Sequence, residues 1–147
     1  MERMLVAVDG SQTALKAVDF TASLAAQTNA ELILLTVVEE AYVGNRALKD
    51  FASAEHLASA WGDLSEARAT EILIAAHERA ATYEGVRVRK EWRSGNPAAE
   101  IARYALEKQT DLVVVGNTGH GRLAGVLLGS VAFKLLGTVH CPLTVVR

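Results

Sequence analysis

Glycines punctuate the stretch VVVGNTGHGRLAGVLLGSVAF at residues 113–133, and the pair Gly129–Ser130 closes it. A residue without a Cβ lets backbone approach a ligand closely. A Gly–Ser pair that opens a helix leaves the first N–H groups of that helix aimed at whatever lies in front of them. Gly116, Gly119 and Gly129–Ser130 therefore have the makings of an anion cradle, and phosphate is an anion such cradles take. A helix end favours a negative charge by only about 0.3–2 kcal/mol. A polyphosphate needs further charge, from a bound Mg²⁺ or from His120 and Arg122 in the loop. The spacing is not that of a Walker A loop, since no Gly-Lys-Ser/Thr follows. Nor is it G-x-G-x-x-G, because Ala124 stands at the third glycine's place. Glycines are also ordinary turn residues, and His120 and Arg122 read equally as solvated side chains; spacing alone leaves these alternatives open.

A second stretch, AVDGS at residues 7–11, places Asp9 after an apolar run. Asp9 reads either as a ligand contact or as plain turn chemistry before Gly-Ser. Machinery for catalysis is not visible, so no catalytic residue is assigned. Histidines 56, 77, 120 and 140 lack metal-ligand spacing with one another or with Cys141, apart from the adjacent His140–Cys141 pair, and no protein metal site is expected. Cys141 precedes Pro142 at the entry to an apolar run, which favours a structural role. As the single cysteine it can form no intrachain disulfide.

Charge and composition exclude further classes. The net charge of −2 with no basic run argues against a nucleic-acid surface. Apolar stretches fall short of the ~20 residues a membrane span needs, and Asp9 interrupts the opening apolar run before a signal-peptide core could form. A cytoplasmic chain is expected. At 147 residues it has one domain's length.

The elements that must position these residues alternate. Apolar runs at 4–8, 31–38, 111–116 and 142–146 read as strands, the first of them buried on both faces, separated by segments of helical period. Between 86 and 92, Val86, Val88 and Trp92 alternate with Arg87, Arg89 and Glu91, which predicts a strand at a sheet edge. Ser11 is placed to cap a helix with Leu15, Val18, Ala22 and Ala25 on its inner face. Ala69, Ile72, Leu73, Ala76, Ala80 and Tyr83 share a face of a long helix, and Asn96–Pro97 starts another. The body VAFKLLGTV should continue the helix that Gly129–Ser130 opens. Residues 39–62 break the alternation and read as a lid or an extra helix. This pattern is that of a parallel α/β sheet, with ligands expected outside the carboxyl ends of the strands where strand order reverses.

The pattern Gly116-x2-Gly119-x9-Gly129-Ser130, with VAVDGS, GNPAAEI and CPLTVVR in the same order around it, resembles the ATP-binding branch of the universal stress protein family. The resemblance covers the chain apart from residues 39–62. It implies a Rossmann-like open sheet of five parallel strands in the order 3-2-1-4-5, with helices on both faces. It further implies an adenine nucleotide (ATP, with AMP or ADP as alternatives) whose phosphates carry Mg²⁺ or Mn²⁺. By position, Asp9 and Gly116 would contact the ribose region, and the backbone of Val37 the adenine edge. Gly119, Gly129, Ser130 and the N–H of Val131 would hold the phosphates. Thr36 stands where relatives often have His. The implied function is a nucleotide-responsive regulatory protein acting on an unknown protein partner; the alternatives are a nucleotide-independent interaction protein and a slow ATP-hydrolysing enzyme. The implied order also leaves the apolar run PLTVV at an edge, so a homodimer is expected through it, with Val145 and Val146 near the axis.

Overall fold

The apolar runs assemble into one parallel sheet, and the helical segments cover both of its faces. The computed structural model describes residues 1–39, 54–118 and 128–147. In chain order its elements are β1 (Arg3–Ala7), α1 (Gln12–Thr28), β2 (Glu31–Val38), α2 (Ala54–Ala80), β3 (Arg87–Ser94), α3 (Pro97–Lys108), β4 (Leu112–Gly116), α4 (Ser130–Leu135) and β5 (Leu143–Val146). The sheet runs β3-β2-β1-β4-β5 with every pairing parallel. The expected order is the observed one.

Alternation along each strand divides the core in two. Met4, Val6, Leu32, Leu34 and Val114 point to one face, where α1 and α2 cover them. Leu5, Ile33, Leu35, Val113 and Val115 point to the other, against α3 and α4. The central strands are apolar throughout because both of their faces are buried. At the edge, β3 is different: Val88 and Trp92 pack against the α1–α2 side, while Arg87, Arg89 and Lys90 are exposed.

Helix starts follow the expected caps. The Ser11 hydroxyl accepts from the Ala14 N–H at 3.2 Å, and the Asn96 side chain from the Ala99 N–H at 3.1 Å, with Pro97 next in line. Three local expectations need correction. The inner face of α1 is Ala14, Ala17, Val18, Thr21, Ala22 and Ala25, so small residues bring the helix close to the sheet and Leu15 is only half-buried. Helix α4 stops at Leu135 instead of running through VAFKLLGTV; the chain leaves it in a turn over 136–138, where the Thr138 and Val139 N–H groups both donate to the Leu135 carbonyl. Residues 54–62 belong to α2 and form no separate helix; residues 40–53 lie outside the described ones.

Candidate functional site

Strand order reverses between β1 and β4: from β1 the chain crosses to β2 on one side, and β4 lies on the other. Helix α1 after β1 and helix α4 after β4 lie on opposite faces of the sheet, the arrangement in which an open parallel sheet forms a crevice between the two strand ends. The register sets what lines it. Ala7 pairs with Leu35 and Val6 with Val114, so two or three residues further on Asp9, Val37 and Asn117 arrive at one level above the sheet. Val37 is half-buried at the end of β2, opposite Arg93 of β3.

The loop after β1 is an Asx turn. The Asp9 carboxylate accepts from the Ser11 N–H at 2.9 Å, and Gly10 between them takes φ 85°, in the left-handed region that favours glycine. From Ser11 a chain of hydroxyls crosses to the other loop. The Ser11 and Thr13 hydroxyls lie 3.2 Å apart, and Thr13 donates to the backbone carbonyl of Thr118. That donation uses Thr13's one proton, so the Ser11 hydroxyl donates to Thr13 in turn.

Gly116 sits where this crossing is tightest. A Cβ there would lie 2.8 Å from the Thr13 Oγ1, 2.9 Å from the Thr13 carbonyl carbon and 3.0 Å from the Ala14 nitrogen. The missing side chain lets the first turn of α1 rest on the end of β4. Gly129 is bound as closely. Its N–H donates to the Asn117 carbonyl at 2.5 Å, and a Cβ would stand 2.8 Å from that same oxygen. The two stems of the glycine loop are thus joined directly, Asn117–Thr118 to Gly129. Gly119, His120 and Arg122 lie outside the described residues.

Gly129, in extended conformation at φ −67° and ψ 156°, is the cap residue of α4, with no side-chain cap bond. Ser130 is consequently the first helical residue and not the cap that its hydroxyl would suit. The first intrahelical bond runs from the Phe133 N–H to the Gly129 carbonyl at 2.9 Å, so the N–H groups of Ser130, Val131 and Ala132 precede it. They face the end of the helix where an anion is favoured. Among the described residues no three His, Cys, Asp or Glu side chains gather as a metal site.

The universal stress protein family model matches residues 1–147. The chain belongs to the universal stress protein family. It is 37% identical over 146 residues to the universal stress protein YxiE of Bacillus subtilis, covering 99% of this chain and 98% of that one. A universal stress protein of Methanocaldococcus jannaschii is 31% identical over 147 residues, covering 99% of this chain and 82% of the relative. Among solved structures, the universal stress protein UspA of Lactobacillus plantarum superposes with a TM-score of 0.80 at 26% identity, covering 99% of this chain and 97% of that one. A universal stress protein crystallised in complex with cAMP superposes at 0.73 with 27% identity, covering 99% and 96%.

Within this family fold, Thr13, Asn117 and Thr118 join the two loops of the candidate site, which the sequence did not disclose. Thr13 reads as an interior residue of a helix start, and Asn117 and Thr118 act through carbonyls, which carry no residue-type signal. Thr36 is 1% exposed, and among the described residues its hydroxyl has no hydrogen-bond partner. An unpaired buried hydroxyl of this kind costs about 1–3 kcal/mol.

Proposed function

We propose that this chain is an ATP-binding regulatory protein of the universal stress response, holding the nucleotide as a bound effector at the carboxyl ends of β1, β2 and β4. The observation that carries this reading is the convergence of the Asp9 turn, the end of β2 and the start of α4 on one crevice at the reversal of strand order. The relative crystallised with cAMP supports an adenine nucleotide as the ligand class. In this reading Asp9 and Gly116 meet the ribose and the Val37 backbone the adenine edge. Gly119, Gly129, Ser130 and Val131 meet the phosphates, with His120 and Arg122 as further phosphate contacts, and Mg²⁺ or Mn²⁺ is held through the phosphates. Fast phosphoryl transfer needs a positioned water and a charge that stabilises the transition state; with no residue assigned to either task, hydrolysis is slow or absent. The protein acts in the cytoplasm through a regulatory protein partner.

A second reading has an observation of its own. Gly116 and Gly129 are both required by packing, against Thr13 and Asn117, whether or not a ligand is present. That favours a nucleotide-independent interaction protein of the same fold. Calorimetry with Mg·ATP, alongside mass spectrometry of the denatured purified chain, separates the two. Ser130→Pro is the informative variant. Proline is accepted at a first helical position, and Gly129's extended backbone suits the residue before it. It removes the Ser130 N–H and hydroxyl together. The expected outcome is ATP binding by the wild type, weakened about tenfold or more in Ser130→Pro, with little change in melting temperature. No binding at millimolar ATP and no co-purifying nucleotide would install the second reading. A turnover above ~1 s⁻¹ lost in Arg122→Ala would install the enzyme.

A further inference from the structure

We propose that Thr13 is the positioning residue of this crevice: its hydroxyl fixes the stem of the glycine loop against α1, and so sets where Gly129 and the start of α4 stand relative to Asp9. The proposal rests on the nucleotide reading for its functional half, and on described residues alone for its structural half.

Four contacts define the arrangement, and three of them form one directed chain. The Ala14 N–H donates to the Ser11 hydroxyl, the Ser11 hydroxyl to Thr13, and Thr13 to the Thr118 carbonyl. Asn117, the neighbour of Thr118, accepts from the Gly129 N–H at 2.5 Å. The turn carrying Asp9 enters the same chain at Ser11, whose N–H the carboxylate receives. Hydrogen bonds joined by short stretches of backbone thus link Asp9 to Gly129 across the gap between β1 and β4, and among the described residues Thr13 is the side chain whose bond spans it. Thr13 is 7% exposed, so water does not readily replace its bond to Thr118. Gly116 lies beneath it with no Cβ, which is what allows the hydroxyl to reach a backbone carbonyl on the neighbouring loop. Without the hydroxyl, the Thr118 carbonyl loses a buried donor and the stem is free to shift, carrying Asn117 and its partner Gly129. A phosphate site built from backbone N–H groups depends on their placement, because such donors cannot swing to follow a ligand.

Substitution at this one position separates the hydroxyl from the bulk. Thr13→Val keeps the shape and removes the donor; Thr13→Ser keeps the donor and removes the methyl. Two measurements are made on each full-length chain: the Mg·ATP dissociation constant by calorimetry, and amide hydrogen exchange at Gly129 with the β1 and β2 amides as internal reference. Thr13→Val is expected to weaken ATP binding about tenfold and to speed exchange at Gly129 by about the same factor, with the reference amides unchanged. Thr13→Ser should stay within about twofold of wild type in both. A Thr13→Val chain that matches wild type in both overturns the proposal, as does a Thr13→Ser chain as impaired as Thr13→Val, since packing and not the hydroxyl would then be responsible. If Thr13→Val does not fold, Thr13→Ala carries the same two expectations. If the wild type binds no ATP, the nucleotide reading falls separately; exchange at Gly129 then decides, and wild-type exchange in Thr13→Val overturns the positioning role.

Discussion

At the scale of single residues, the glycines of this site have two reasons to be glycine, and spacing shows only one. Gly116 was expected to make room for a ribose; in the fold its missing Cβ makes room for Thr13 and the backbone of Ala14. The crowding atoms include a carbonyl carbon at 2.9 Å and a backbone nitrogen at 3.0 Å, which cannot rotate aside as the end of a side chain could. Gly116→Ala should therefore destabilise the apo chain by about 1–3 kcal/mol, measured by urea unfolding, even where no nucleotide is present. An unfolding midpoint equal to wild type would show that α1 yields readily and that the glycine is kept for a ligand. The residues legible in the sequence are those whose type is unusual at their position: Asp9, the glycines, and Ser130 after Gly129. Thr13, Asn117 and Thr118 were hidden because a threonine in a helix's first turn and two loop carbonyls are compatible with almost any role.

Elements were more legible than contacts. Strand positions followed from apolar runs, and the edge position of β3 from its alternation with Arg87, Arg89 and Glu91, because a strand with one wet face cannot lie in the middle of a covered sheet. Ends of helices were less so: α4 ends at Leu135, short of its apolar run, and α2 reaches back to Ala54 through residues that show little apolar periodicity. What no periodicity could reveal is how the two helices on one face are tied together. Arg79 of α2 grips Asp19 of α1 with two bonds, at 2.7 and 2.6 Å, and the Tyr83 hydroxyl donates to the same carboxylate at 3.3 Å. These bonds, the Arg79 pair first, hold the Asp19 carboxyl below its ordinary range despite partial burial. A carboxylate depressed in the folded state contributes stability above its unfolded value of about 3.9 and loses it as pH falls through the folded value. Asp111, held low by the N–H groups of Arg3 and Glu2, has the same sign. Wild-type stability should therefore fall as the solution is acidified below about pH 4. Asp19→Asn should be slightly less stable at pH 7 and show a shallower acid loss. Parallel pH curves for the two chains, from urea midpoints, would assign the acid loss elsewhere.

For the whole molecule, the two edges of the sheet are unlike, and that difference bears on assembly. The β3 edge carries Arg87, Arg89, Lys90 and Arg93, the charged guard that discourages strand pairing. The β5 edge carries Leu143, Thr144, Val145 and Val146, each half-buried, and no charge. Phe133 and Leu136, 67% and 60% exposed, stand at α4, just before β5 in the chain. Backbone direction sharpens the contrast. The Val113 N–H donates to Pro142 and the Asn117 N–H to Val146, so even-numbered residues of β5 turn their backbone to β4 and Val145 turns its own outward. Of Val145 and Val146, it is Val145 that can bond a second copy. An antiparallel pairing of β5 with its symmetry mate would satisfy both edges at once, with Phe133 and Leu136 as the apolar surface nearest in sequence. The expected assembly is a homodimer with a mass near twice 15.7 kDa by light scattering at micromolar concentration. Val145→Pro, a substitution that edge strands tolerate, removes an outward N–H and no bond to β4, at the cost of part of the Val145 packing against the core, and Phe133→Arg places charge on the exposed apolar patch. Each should shift the population to monomer while circular dichroism stays that of the folded chain. A wild-type mass near 15.7 kDa, or a dimer untouched by Val145→Pro, would mean that this edge is left open for a different partner.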